Sequence, residues 1–599
     1  MTAKTKSVLL IFCLTLIIYS NSLGGEFIYD DEYFIVKNIN IRNFGNISSL
    51  FFNPAAVAFA ELARDVYRPL TTFSYMIDYF LWRLDTFGYH LVNVLFHSFN
   101  AILLFLFLFA MFGEIELALL TSLIFAIHPV QTEVVSWISG RSSVLFLFFY
   151  LAALLFYVRF LRESKKIYFV LSVLLYLFSL LSKEMAVTLP LLLIACDAHF
   201  FNKDGLRKKI YRYLPYFFMT FLFLALRYHV LGRMSQCGWW GGSPYYTFLT
   251  MSWVIMEYIK LMLIPVKLCA FYVLDVSRTA AETKVILSIA ALVAIFSILP
   301  VIFRRSRKAS FAIWFFFITI LPVSNIVPLR ALMAERFLYL PLIGFSMLMA
   351  LFIENIGSIS SKNRKVVVVS AASILIAAYS FRTMERNRDW RDSVTISRRI
   401  IELYPLNPWG LTSLSTSYLD KKMYDDAVKS ARKAIAVSPY YAPPWHALGF
   451  CYLEMERYGD AIRILNQALK LEPRNLETMN SLGVAYGKTK RYDDAVKLFE
   501  QSIAVDPTFV TAYLNLGTTY EFKGEYDKAI EEYRKIGVKT RSAQDIAISY
   551  VRIGDVYIKL KDKKEAQRYY GKALDACGSG FEELKKVVRD RLATKWVDK

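Results

Sequence analysis

Apolar runs crowd residues 1–381 and then stop; residues 382–599 are charged, helical in pattern and free of such runs. A backbone in lipid must satisfy every N–H and C=O group internally, which leaves helices or closed barrels. Runs of this length specify helices. The chain is therefore read as all-α: a polytopic membrane helix bundle followed by a water-soluble helical array. The apolar share of 56% exceeds that of an ordinary soluble domain, and the first part accounts for the excess.

Spans are expected near 7–23, 92–112, 116–128, 134–158, 167–182, 185–201, 211–231, 285–303, 310–325, 336–355 and 366–381. Several fall short of the roughly 20 residues a straight span needs. The first has Lys4 and Lys6 ahead of it and no small-x-small cleavage site, so it reads as an uncleaved span with its basic end in the cytoplasm. A further apolar segment, 247–265, is placed by charge. Net charge is +21, and much of it lies in short loops: Arg159 to Lys166, Arg207 to Arg212, and Arg304 to Lys308. That is the pattern of cytoplasmic loops. Those loops and 362–365 are all cytoplasmic only if 247–265 starts and ends outside. The count is then about eleven spans, with residues 24–91 and the C-terminal array outside; the alternative, twelve spans, puts the basic loop 304–308 outside or the array inside. No nucleic-acid module accompanies the basic charge, so nucleic acid is not an expected partner. The six cysteines show no metal or disulfide spacing.

Aligning Gly449, Gly483 and Gly517 exposes a 34-residue period. Tyr452, Tyr486 and Tyr520 follow in register, then Ala461, Ala495 and Ala529; Pro473 and Pro507 close their repeats. A repeat at 408–441 carries Ser415, Tyr418, Ala427 and Ala434. One at 547–580, after a three-residue insertion, carries Gly554, Tyr557 and Ala566. These are tetratricopeptide (TPR) repeats, about five over 408–580. Residues 389–405 resemble half a further repeat and follow the last span almost directly, which predicts a short tether. Stacked helix pairs make a superhelix with a concave groove, the usual seat of a peptide or partner protein.

Chemistry is sought at the outer ends of the spans. The first outer loop holds Asp30, Asp31 and Glu32. His97 sits a turn inside the second span. Residues 128–141 run from His128 through Glu133 to Arg141; Lys183 and Glu184 sit between two apolar runs; Glu335 and Arg336 open a late span, with Tyr339 just after. Ionisable groups at membrane depth are costly, about 2.5–3.5 kcal/mol each on insertion scales, and tend to be functional. Snorkelling pairs at helix ends would explain any one of them. Several on one face predict an outer cleft carrying both signs of charge. Such a cleft suits a sugar donor carried on a lipid phosphate: cations for the phosphate leaving group, a carboxylate base for the acceptor hydroxyl. Asp30 or Asp31 is the expected base, and Arg141, Lys183, Arg336, His97 and His128 are phosphate-binding candidates. Glu32, Arg68, Glu133, Glu184, Glu335 and Tyr339 are further outer-face candidates. No metal site is assigned, although carboxylates in the first loop could hold a divalent ion.

The order of these segments carries a resemblance. Tyr29-Asp30-Asp31-Glu32-Tyr33-Phe34, Tyr67-Arg68-Pro69-Leu70, Gly88-Tyr89-His90-Leu91-Val92-Asn93, His128-Pro129-Val130-Gln131-Thr132-Glu133, Ser182-Lys183-Glu184 and Glu335-Arg336-Phe337-Leu338-Tyr339-Leu340-Pro341, then TPR repeats, resemble the transmembrane-and-TPR O-mannosyltransferase family and its bacterial relatives. The resemblance implies a GT-C type inverting glycosyltransferase that takes mannose or another hexose from a polyprenyl phosphate to a protein Ser/Thr hydroxyl or a glycan. It implies an acidic pair, Asp30 and Asp31, with the first acid as base. Expected domains are 1–385 for the GT-C-like part, with first outer loop 24–91; a connector at 386–407; TPR repeats at 408–580; and a capping helix at 581–599. Expected partners are the lipid-linked sugar, membrane lipid and an acceptor protein or glycan in the TPR groove. The expected location is the bacterial inner membrane, from the short loops and the lack of a retention signal at 597–599, or the endoplasmic reticulum in a eukaryote. Two other readings remain open: a non-enzymatic membrane-anchored scaffold, and an oligosaccharide ligase or polymerase. The last class keeps its key residues in a large late outer loop.

Overall fold

Each expected span contains an α-helix in the computed structural model, and so does segment 247–265. The structure describes residues 2–52, 66–201, 205–235, 237–359, 364–539, 543–577 and 582–593. Parts of the expected first outer loop, of the loop at 202–212 and of the capping segment lie outside these. No strand occurs among the described residues. The chain forms two compact units that divide between Arg399 and Ile400, inside the expected connector.

The first unit contains α1 (Ala3–Tyr19), α2 (Pro69–Trp82), α3 (Thr86–Phe112), α4 (Ile115–Ile127), α5 (Arg141–Glu163), α6 (Lys166–Ser182) and α7 (Leu189–Phe200). It continues with α8 (Leu206–Leu231), α9 (Pro244–Leu263), α10 (Thr283–Arg305), α11 (Arg307–Ile320), α12 (Leu342–Ile359) and α13 (Arg364–Asn387). Six described helices are long and apolar enough to cross a membrane, or seven if α4 and the bent segment after it count as one span. α9 is not among them. The core is apolar and continuous, with α3 packed against α1, α4 and α5, and α12 against α4, α11 and α13.

Three expected spans start later than their apolar runs suggest. Residues 134–140 are not the first turns of a span. They form a short helix (Thr132–Ser136) and a tight turn (Ile138–Gly140), and α5 begins only at Arg141. Pro129 ends α4 one residue after His128, and the chain bends by 52° there. Gly140 then passes so close to the Val134 carbonyl that a Cβ would lie 2.1 Å from it. Likewise Glu184–Thr188 is a 3₁₀ turn before α7, and Glu335–Leu338 one before α12. Irregular backbone at membrane depth persists only where protein or a wet cavity satisfies it. These turns carry the charged motifs.

The second unit consists of helix pairs: α15 (Pro408–Asp420) with α16 (Tyr424–Val437), α17 (Ala442–Glu454) with α18 (Tyr458–Leu471), and α19 (Leu476–Lys488) with α20 (Tyr492–Val505). Then come α21 (Val510–Lys523) with α22 (Tyr526–Lys539), α23 (Ala543–Lys559) with α24 (Lys563–Cys577), and a final α25 (Glu582–Ala593). α14 (Ser393–Leu403) covers the expected half-repeat. The repeated glycines are explained by contact. A Cβ on Gly449, Gly483, Gly517 or Gly554 would meet Leu465, Phe499, Tyr533 or Tyr570 at 2.5–2.6 Å, each on the second helix of the same pair. Ser415 replaces this glycine in the first pair, and its hydroxyl donates to the Ala427 carbonyl at 2.8 Å. The alanines at 427, 461, 495, 529 and 566 are all fully buried.

Candidate active site

The first outer loop leaves α1 and turns at Tyr29, whose φ of 51° is rare outside glycine and asparagine. This turn sends the two following carboxylates in different directions. Asp31 points inward and is fully buried. It accepts hydrogen bonds from the Ile28 amide (3.0 Å), the Ser139 amide (2.8 Å) and the Ser139 hydroxyl. Burial pushes its pKa up to about 7; the bonds from Ile28 and Ser139 oppose that, and the charge of Asp30 adds to it. The neighbouring Trp137 indole donates to the Ile28 carbonyl (3.3 Å), so residues 137–139 clamp the loop from below.

Asp30 is exposed, and its carboxylate makes no hydrogen bond among the described residues. It nevertheless sits in a recess of protein atoms. Desolvation raises its pKa, and the charges of Arg336, Arg68 and Arg330, in that order, pull it back. The Asp30 carboxylate thus lies within electrostatic reach of three guanidinium groups, brought from the segment before α2 and the loop before α12.

Each cation is fixed by a partner. Arg68 grips Glu184 with two bonds, Nε at 3.0 Å and an Nη at 2.7 Å, and also reaches the Ser142 hydroxyl at 3.3 Å. Burial raises the Glu184 pKa, but Arg68, and then Lys183 and Arg227, outweigh it and hold the group below the usual carboxylate range. Lys183 is buried and donates to the Ser143 hydroxyl at 2.7 Å. Burial first, and the charge of Arg68 next, bring its pKa down to about 7. Arg336 keeps 31% of its side chain exposed while Glu133, almost wholly buried, takes both its amide (2.7 Å) and its guanidinium (2.5 Å). The Arg336 guanidinium also lies over the Trp137 and Phe337 rings.

Other expected residues lie elsewhere. Arg141 is fully buried; it pairs with Asp78 at 2.7 Å and donates to Asn93, Ser74 and the Tyr89 carbonyl. His97 is spent on the Tyr339 hydroxyl and the Ala126 carbonyl, both at 2.8 Å. His128 accepts from the Val130 amide and meets the Met262 carbonyl at 2.9 Å. Glu335 is buried against the Cys269 amide, the Tyr272 hydroxyl and Arg386. Glu32 pairs with Lys37 on the surface. No group of three or more His, Cys, Asp or Glu placed to hold a metal occurs among the described residues.

Sequence reading missed Arg330, Ser139 and Ser143. Arg330 was within reach of it: a lone cation in the largely apolar stretch 321–334 just ahead of Glu335 and Arg336. The two serines carried no signal, because their role depends on the turn at 137–140.

Fold and cleft together define a helical membrane protein with a TPR array and a carboxylate set among guanidinium groups. The chain is similar to protein O-mannosyl-transferases. One from Caenorhabditis elegans is 27% identical over 437 residues, covering 71% of this chain and 62% of that protein. Protein O-mannosyl-transferase TMTC3 of Homo sapiens is 25% identical over 471 residues, covering 71% of this chain and 50% of that protein. A Xenopus laevis protein O-mannosyl-transferase is 38% identical over a 153-residue stretch, 25% of this chain and 18% of that protein. The chain thus spans about half to three-fifths of the length of the first two relatives. Family models described as tetratricopeptide repeat match residues 440–508, 498–531 and 547–578.

Proposed function

We propose that this chain is a membrane glycosyltransferase that moves mannose or another hexose from a polyprenyl phosphate to a protein hydroxyl at the extracytoplasmic face. The observation that carries the reading is Asp30, an exposed carboxylate that makes no side-chain hydrogen bond among the described residues and feels the charges of Arg336, Arg68 and Arg330. In the transfer step Asp30 takes the proton of the acceptor hydroxyl as its oxygen bonds to the anomeric carbon of the sugar. The bond from that carbon to the phosphate oxygen breaks, and the charge gathering on the phosphate falls to Arg336, Arg68 and Lys183. Preorganised cations at a developing anion are the strongest form of such stabilisation. Glu133, Glu184 and Ser143 hold those cations in place, and Asp31 holds the loop. Arg141, His97 and His128 brace the frame and take no phosphate. The extracytoplasmic assignment rests on the basic loop around Lys165, at the far end of α5 and α6 from Arg141 and Lys183. α5 alone has 23 residues and is about 34 Å long at 1.5 Å per residue.

A base works only when ionised, and the pKa of Asp30 is raised. As pH falls, protonation therefore sets in earlier than for an ordinary aspartate, at about 3.9. With the protein reconstituted in vesicles holding a polyprenyl-phosphate sugar, the acid limb of kcat/KM is expected above that value, and Asp30→Glu should keep a limb. A profile flat to the ordinary aspartate range argues against Asp30 as base.

The TPR array is proposed to bind the acceptor protein, raising its effective concentration at the membrane. Deleting 408–580 should raise KM for a protein acceptor strongly and change turnover of a short peptide much less. Equal loss on both acceptors would assign the repeats a structural part only.

A further inference from the structure

The segment that leads from α13 toward the repeats is buried, which a tether does not require. Arg386, Asn387, Trp390, Asp392, Ile396 and Ser397 are each at most 5% exposed. All lie on the first unit's side of the division after Arg399. The sequence explains the path. α13 ends at Asn387, and a 3₁₀ turn, Arg388–Trp390, redirects the chain. Asp392 then caps α14, accepting from the Thr395 amide at 2.8 Å and from its hydroxyl at 3.0 Å.

Three contacts run from this segment to the chain just ahead of Asp30. The Glu26 amide donates to the Arg391 carbonyl at 2.8 Å. Trp390 stacks on Trp137, with ring centroids 5.9 Å and planes 20° apart; with Ile28 and Ile396 the two rings form a small buried cluster against which Tyr29 packs. The Tyr29 and Ser397 hydroxyls meet at 3.3 Å, across 368 positions of sequence. Tyr29 is the residue in the left-handed region. A backbone that a tyrosine rarely adopts is thus held from outside its own loop. The indole N–H of Trp390 makes no hydrogen bond among the described residues, so the ring itself is what the contact uses. The same segment also reaches the cationic side of the cleft: Arg386 lies 3.6 Å from Glu335, the neighbour of Arg336.

We infer that Trp390 and Ser397 are positioning residues for Asp30, and that residues 386–397 are a bracket that fixes the Tyr29 turn relative to Arg336. The inference rests on Asp30 as the proposed base and identifies what holds that base in register with the cations. A plain fold anchor would stabilise the unit without touching the rate of the chemical step.

The test uses the full chain reconstituted in vesicles with a polyprenyl-phosphate sugar. Trp390→Leu removes the ring stacked on Trp137, and Ser397→Ala removes the partner of the Tyr29 hydroxyl. Both should lower kcat at unchanged donor KM. The expected loss is roughly 10²-fold for Trp390→Leu, as for a reacting group misplaced by about 1 Å. For Ser397→Ala it is about two- to tenfold, the worth of one neutral hydrogen bond. Trp390→Phe keeps a ring to stack and should restore most of the rate. In Trp390→Leu the acid limb of kcat/KM should also move down toward the ordinary aspartate value of about 3.9, because Asp30 leaves the recess whose desolvation raises it. Wild-type kcat per folded molecule and an unmoved limb in Trp390→Leu, with only Tm lowered, would overturn the inference. If that variant does not fold, wild-type kcat in Ser397→Ala overturns it. Hydrogen exchange over residues 26–34 reads the turn with no substrate present and should speed up roughly tenfold in Trp390→Leu. Faster exchange in the variant, beside a wild type that transfers no sugar, defeats the enzyme reading alone. Sugar transfer by wild type and variants alike, with unchanged exchange, defeats the bracket alone.

Discussion

Asp30→Asn is expected to cut sugar transfer by roughly 10²–10⁴-fold, the usual loss when a general base is removed, with little change in folding or in donor affinity. The side chain is exposed and makes no hydrogen bond among the described residues, so the isosteric amide breaks no contact. It does remove one negative charge near Arg336, Arg68 and Arg330, which leaves these cations, if anything, more attractive to a phosphate. Asp31→Asn should behave differently. Asp31 receives two amides and a hydroxyl, and an Asn amide nitrogen turned toward any of them opposes donor to donor. Loss there should appear first as a lower Tm and a misplaced loop, and in transfer only as a consequence. Transfer in reconstituted vesicles, read beside thermal unfolding, separates the two. Wild-type transfer by Asp30→Asn would remove the proposed base. Unaltered recruitment of partner proteins with no transfer in either wild type or variant would favour the scaffold reading.

Periodic features were legible in the sequence. The 34-residue register named the repeats because each recurring position answers one contact: a glycine where the facing Leu465, Phe499 or Tyr533 leaves no room for a Cβ. The apolar runs named the helices for the same reason, since lipid admits little else. The ends of those runs were less legible. Hydropathy carries residues 134–140 and 336–341 into spans, because Val134, Val135, Phe337 and Leu338 are as apolar as any span residue; they are apolar because they are buried in protein turns rather than in lipid. Charge was legible as a set and illegible in its pairing. Nothing local to Arg68 points to Glu184, or to Arg336 its hold on Glu133, because those pairs close over separations of 116 and 203 residues. Asp30 and Asp31 look equivalent in sequence, and only the left-handed Tyr29 turns one into the cleft and the other into the core.

Arg141 gives the sharpest case of that ambiguity, and replacing it should have the largest effect on stability. Arg141→Met is expected to destabilise the first unit by about 3–5 kcal/mol, the range for breaking a buried ion pair from one side. The side chains of Arg141 and Asp78 are 0% and 3% exposed, and they meet at 2.7 Å. The guanidinium also donates to Asn93 and the Tyr89 carbonyl on α3 and to Ser74 on α2, so one residue at the start of α5 ties three helices. Methionine fills much of the volume and supplies none of the five donors, leaving the Asp78 carboxylate buried beside apolar atoms. Adding Asp78→Leu should return a large part of the loss, since an apolar pair of similar volume can match a buried ion pair. A phosphate-binding arginine would answer differently on both counts: Arg141→Met would weaken donor binding at unchanged Tm, and Asp78→Leu would not rescue it. Thermal unfolding of the single and double variants in detergent, with donor binding measured on the fraction that remains folded, decides between a brace and a ligand.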